Sequence, residues 1–198
     1  MEIMKNKRLD HHGIVSGVIE DLKIVEIVDE HVGVNEQEKI SAGMAVKSMI
    51  LNGLGFTNRP LTLSPQFFEN IPMEHLFGEG YTPDLFNRHK LGRVLGTIFQ
   101  HDPTTLFSRL SLQAVKSQNI NTDIKSLDTS TLSVHGKYKE TDDLDDSEPI
   151  PITINHGYSK AKRPDLKQIV LELIVSQDGG IPLFFKTHSG NANNSVIF

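Results

Sequence analysis

The sequence predicts an α+β protein: an all-helical N-terminal domain over residues 1–118, then a β region of strands and a β-hairpin over residues 119–198. Three observations carry this reading. Apolar residues recur at helical spacing through the first part, three prolines stand where helices begin, and beyond residue 120 the apolar period shortens to two.

From the N-terminus, Ile14, Val15, Val18, Ile19 and Leu22 share one helix face, and Ile24, Val25, Ile27 and Val28 continue as a second short helix. Ser41 is a natural N-cap for a third, with a buried stripe of Ala42, Val46, Met49, Ile50 and Leu54 and an end at Gly53 and Gly55. Ser64-Pro65, Thr82-Pro83-Asp84 and Asp102-Pro103 each mark a helix start, because proline at the first turn gives up an N–H that has no helical partner there. Most phenylalanines of this half are expected in its core. The glycine pair at 53 and 55 lacks the preceding strand and third glycine of a dinucleotide site, so it reads as helix termination.

The polar stretch Ser117–Asn121 marks the boundary. Ile124–Val134 and Ile150–Asn155, rich in branched and hydroxyl residues, read as strands. Between them Glu140, Asp142, Asp143, Asp145, Asp146 and Glu148 repel one another and are expected to form a mobile loop. Lys167–Ser176 alternates between two faces, Ile181–Thr187 matches it, and Asp178-Gly179-Gly180 between them is a hairpin signal, since glycine accepts the positive φ of a tight turn. The final Val196-Ile197-Phe198, an apolar triplet after Asn194 and Ser195, reads as an unfinished domain, so truncation is expected.

Composition bounds the function. Twenty basic residues against 25 acidic ones give a net charge of −5, which excludes a surface that binds polyanions everywhere but leaves local basic patches open. The absence of cysteine excludes disulfide scaffolds, zinc–cysteine modules and thiol catalysis. No apolar run approaches the roughly 20 residues that cross a bilayer, and the charged N-terminus lacks a secretory core, so a cytoplasmic location without membrane partners is expected. None of the nine histidines shows the helical spacing of a zinc site, and a structural or surface role is expected for them.

Chemistry is most legible around Asp128. A carboxylate in the middle of a strand needs a metal, a cation or backbone donors if it is buried, which makes Asp128 the leading ligand candidate; a strand-edge carboxylate facing water is the plain alternative. Tyr158, Ser159, Lys160, Lys162 and Arg163, with Lys167 beyond, combine an aromatic, hydroxyls and cations suited to phosphate, or they form a solvated loop. In the helical half, Arg88, Lys90, Arg93 and Arg109 are candidate phosphate contacts. Yet residues 1–120 carry 12 basic against 14 acidic side chains, which fits packing or dimerisation as well as DNA binding.

Ser126–Gly136, Ile152–Gln168 with its Asn155-His156-Gly157-Tyr158-Ser159-Lys160 core, and Val175–Leu183 resemble the start of the catalytic core of DDE-type insertion-sequence transposases. Asp10–Val15 and Ser41–Phe56 resemble the helical domain that precedes that core in the same proteins. The resemblance implies a ribonuclease H-like fold that holds two Mg²⁺ ions for DNA cleavage and strand transfer, with Asp128 as the first catalytic and metal-binding acid. It implies DNA, the terminal repeats of a mobile element, as partner, and intact transposase or a second copy as another. The later acids of the family's set lie beyond this chain, and Glu172 and Asp165 are poor substitutes. The expectation is therefore a fragment of a DNA-recombination enzyme, with an incomplete ribonuclease H-like region, little activity alone and no tight Mg²⁺ binding. The rival expectation is a non-catalytic module that binds DNA or transposase.

Overall fold

The structure, a computed structural model, describes residues 7–55, 59–136, 138, 152–158 and 162–192. It is α+β with the helices first. The chain divides into two compact units, residues 1–113 and 114–198, with helix α7 spanning the division. The acidic run at 140–148 lies outside the described residues. Among the described residues, no helix is long and apolar enough to cross a membrane.

In the first unit, α1 (His12–Asp21) and α2 (Ile24–Val32) are separated by Lys23, whose left-handed backbone (φ 52°) breaks the helical run. α3 (Ala42–Gly53) starts as its sequence predicts: the Ser41 hydroxyl accepts from the Met44 N–H at 3.1 Å. A 3₁₀ turn at Leu61–Leu63 leads into α4 (Ser64–Phe68), with Pro65 in its first turn. α5 (Met73–Phe77) follows, then a 3₁₀ turn at Pro83–Phe86, α6 (Arg88–Gln100) and α7 (Pro103–Gln118). The Asp102 carboxylate accepts from the Thr104 N–H and the Thr105 hydroxyl, so all three proline signals mark real starts.

Aromatic packing forms the centre of this unit. Phe68, Phe77 and Phe86 are buried, with ring centroids 4.7 to 5.6 Å apart, and Phe67 packs against them. Phe99, in contrast, is half exposed on α6.

Two predicted helix faces need correction. On α3 the fully buried positions are Gly43, Ala45, Lys47, Ser48, Leu51 and Asn52, while Ala42, Val46, Met49 and Ile50 are only partly covered and Leu54 is exposed. On α1 the buried line is His12, Ser16 and Ile19, and Ile14 and Val18 point outward. One arrangement explains both. α3 is packed on its polar side as well as its apolar one, and α1 supplies the partner: Lys47 Nζ donates to Glu20 Oε1 at 3.0 Å, with Ser16 bonded to the same oxygen. α2 crosses α3 so closely that a Cβ on Gly43 would lie 2.2 Å from the Val25 carbonyl oxygen.

The second unit holds a three-stranded antiparallel sheet in the order β1 (Lys125–Val134), β2 (Lys167–Ser176), β3 (Pro182–Ser189). The predicted hairpin joins β2 to β3, with Gly179 and Gly180 at φ 69° and 62°. The Asp178 carboxylate accepts from the Asn121 N–H at 2.8 Å, tying the hairpin end to the chain entering β1. The strand predicted at Ile150–Asn155 is corrected for its described part: residues 152–155 make one bridge, Asn155 to Gln168, and no strand. β3 already lines β2 as far as Ile169, so only Gln168 and Lys167 of that edge are left to pair.

The buried Lys47 ammonium makes the first unit's stability asymmetric. Glu20→Ala leaves that charge desolvated without its carboxylate and is expected to cost on the order of 1 to 3 kcal/mol in urea unfolding. Lys47→Met, which removes the buried charge and leaves Glu20 in water, should be close to neutral. The Lys47 hydrogen bond holds the Glu20 carboxyl below its ordinary value of 4.5. Its contribution is thus present above pH 4.5 and is lost as pH falls through the lowered value.

Candidate functional site

Asp128 sits in the middle of β1, the edge strand, opposite Leu173 of β2, which in turn pairs with Phe185 of β3. Its carboxylate is exposed, and Oδ1 accepts from the Thr129 N–H at 2.7 Å. Its neighbours across this face of the sheet are therefore apolar. Glu172 is one register position away, and alternation along the strand sends it to the opposite face, where its carboxylate meets His188 Nε2 at 2.9 Å. Among the described residues, no three His, Asp or Glu side chains come together to hold a metal ion. Magnesium takes near-octahedral oxygen coordination, and one exposed carboxylate beside Leu173 and Phe185 does not provide it. Among the described residues the donor set does not fit a pair of ions.

The basic segment lies at the other end of the sheet. Lys167 pairs with Val134, six residues along β1 from Asp128, which is about 20 Å at the rise of a strand. Lys162 is exposed with φ 56°. Arg163 makes a two-point ion pair with Asp165, Nε to Oδ1 at 2.8 Å and Nη2 to Oδ2 at 2.6 Å. Those hydrogen bonds hold the Asp165 carboxyl down at about 2. Lys167 Nζ donates to the Tyr138 carbonyl at 3.2 Å. Lys160 lies outside the described residues.

In the first unit the candidate cations divide by burial. Asn87 caps α6 by accepting from the N–H groups of His89 and Lys90, both at 3.1 Å. That cap sets the direction of the first turn, which turns Lys90 inward, 6% exposed, with its ammonium on Glu38. Lys90 is thereby a structural cation rather than a phosphate contact. Arg88 and Arg93 are exposed, and Arg93 borders an open pocket of about 400 Å³ with Asn35, Lys39 and Asn87. Arg109 pairs with Glu30 at 2.9 Å.

What the sequence reading missed is the clamp behind the Asn155–Tyr158 segment. Gln168, 1% exposed on β2, donates from its side-chain amide to the carbonyls of Tyr158 (3.1 Å) and Gly190 (2.9 Å), and its own N–H donates to the Asn155 carbonyl at 2.8 Å. Gly190 N–H donates to the Thr153 carbonyl at 3.0 Å. The two chain segments approach so closely that a Cβ on Gly157 would lie 2.0 Å from the Gly190 carbonyl oxygen. Glycine at 157 is thus a packing requirement, and a glycine between His156 and Tyr158 was its only sequence trace.

Two outcomes follow from this geometry. Gly157→Ala should open the clamp, and hydrogen exchange at the Gln168 and Gly190 amides should accelerate while amides of the first unit keep their protection. In a carboxyl titration followed by NMR, Asp165 should protonate near pH 2, and Arg163→Ala should return it towards 3.8. The pair's contribution is present above the ordinary carboxyl value and disappears as pH falls through about 2.

The comparisons with known proteins bear on the helical half. A family model described as Domain of unknown function (DUF4277) matches residues 4–112, more than half of the chain and nearly the whole of the first compact unit. No curated protein matches the sequence, and no solved structure matches it. On the extent of that match, the chain belongs to the DUF4277 family.

Proposed function

We propose that this chain acts in DNA transposition as a DNA-binding relative of DDE-type insertion-sequence transposases, and that by itself it does not cut DNA. The observation that carries the reading is the position of Asp128: an exposed carboxylate in the middle of the first strand of an antiparallel sheet that follows a helical unit. The transposase-like sequences around it and around Asn155–Tyr158 support the same reading. The second half of the proposal rests on the donor set. Two-metal phosphodiester cleavage needs several carboxylates around one pair of ions, and among the described residues no three His, Asp or Glu side chains form such a group. What the residues of this chain supply is positioning: Lys162 and Lys167 for phosphates at one end of the sheet, Arg88 and Arg93 on α6 of the helical unit.

A second reading, a module that binds intact transposase or a second copy of itself, is favoured by one observation. The family match ends within one residue of the first unit, whose aromatic core is closed within that unit.

Both readings meet in one experiment on the full chain with duplex DNA carrying the element's terminal repeats and MgCl₂. The expected result is binding whose logarithmic affinity falls with log salt at a slope of about −3, as three or four phosphate contacts require, with no strand nicked. Nicking that Asp128→Asn abolishes would overturn the claim of inactivity. No retardation at low salt, with co-purification of transposase instead, would favour the second reading.

A further inference from the structure

We infer that Tyr158 is a stacking platform for an unpaired nucleobase, so that this end of the sheet binds single-stranded DNA more tightly than duplex. The inference rests on the DNA-binding reading and adds the ligand's class.

Among the described residues Tyr158 is the most exposed large apolar side chain, at 87%. Burial of its ring therefore contributes almost nothing to folding. Its backbone, in contrast, is fixed from beneath. The Tyr158 carbonyl accepts from a glutamine that is 1% exposed, and the preceding residue has no room for a side chain. A bare aromatic ring is thus presented to solvent from an ordered base, which lowers the entropy lost when a ligand stacks on it.

The surroundings suit the backbone of a single strand. His156, two residues earlier, is a second exposed ring, held by Nδ1–H donating to the Pro164 carbonyl at 3.2 Å. Lys162 is exposed, and Lys167 anchors its ammonium at the Tyr138 carbonyl at the same end of the sheet. From His156 to Gln168 the chain carries four cations against the single carboxylate of Asp165, although the protein as a whole is negative. A ring for the base and ammonium groups for the phosphates are the two parts of a sequence-tolerant single-strand site. In duplex DNA the base faces are already stacked, so the ring has no use there. The distance of about 20 Å from Asp128 along β1 makes this a site separate from the carboxylate.

The test uses the full chain and a fluorescein-labelled oligo-dT of about 12 nucleotides, with a duplex of equal length as control. The chain has three tyrosines and no tryptophan, so tyrosine emission reports on stacking directly. Expected are quenching by the single strand, weaker binding of the duplex, a loss of about tenfold or more in single-strand affinity for Tyr158→Ala, and retention of that affinity in Tyr158→Phe. Circular dichroism checks that each variant is folded. Equal binding of strand and duplex, unchanged in Tyr158→Ala, would overturn the stacking platform and leave the DNA-binding reading standing. No binding of either probe would overturn both. Displacement of the strand by poly-glutamate, with Tyr158→Ala weakening both ligands alike, would assign the patch to acidic peptide and overturn the inference.

Discussion

The buried polar side of α3 is the constraint on which the helical unit depends. Lys47, Ser48 and Asn52 all lose water there, and each is answered by a specific neighbour. Ser48 donates to the Ala45 carbonyl, Asn52 both donates to and accepts from the Arg59 backbone, and Lys47 reaches Glu20 on α1 while its ammonium lies 5.6 Å from the Phe77 ring centroid. Unpaired, each of these groups would cost on the order of 1 to 3 kcal/mol. The pairing therefore fixes which face of α1 turns inward and where the chain after α3 must run. Gly43 sets the approach of α2, and the Asp29 carboxylate accepts from the Gly43 N–H at 2.6 Å, so that the crossing also caps the start of α3. With these contacts set, the phenylalanines of α4, α5 and the 3₁₀ turn close over the remaining apolar surface.

The sheet unit uses the same device for a different end. Gln168 is a buried amide whose partners are backbone carbonyls of two segments that no strand ladder holds. It gives residues 153–158 a defined course without making them a strand, and the residues it holds at the surface, His156 and Tyr158, bear rings that the fold does not bury. Rigidity beneath and exposure above is an arrangement that favours recognition over stability. The carboxylate of Asp128 faces a largely apolar sheet surface, and the cations collect some 20 Å away along the strand.

Much of the fold was legible because it rests on local rules. The Ser41 cap, the three proline starts, the alternation of Lys167–Ser176 and the Gly179-Gly180 turn are each decided within a few residues by backbone geometry. The helix faces of α1 and α3 were not, because a periodicity of apolar residues assumes that the polar side is the wet one, and on α3 the polar side of Lys47, Ser48 and Asn52 is buried. α5 carried too few residues to show a period. For the site, sequence marked Asp128 and the lysines as residue types suited to metal and phosphate, but not where they stand relative to one another.

By itself, then, the sequence determined that helices precede strands, the Ser41 cap, the proline starts and the Gly179-Gly180 turn, and the chemical inventory of the Asp128 and Tyr158 segments. Only the tertiary structure decided that Lys90 is an internal cation and that Gly157 is required by the Gly190 carbonyl. The reason is physical. Burial and charge pairing are properties of distances between residues far apart in the chain, 52 positions for Lys90 and Glu38, and no local pattern encodes them.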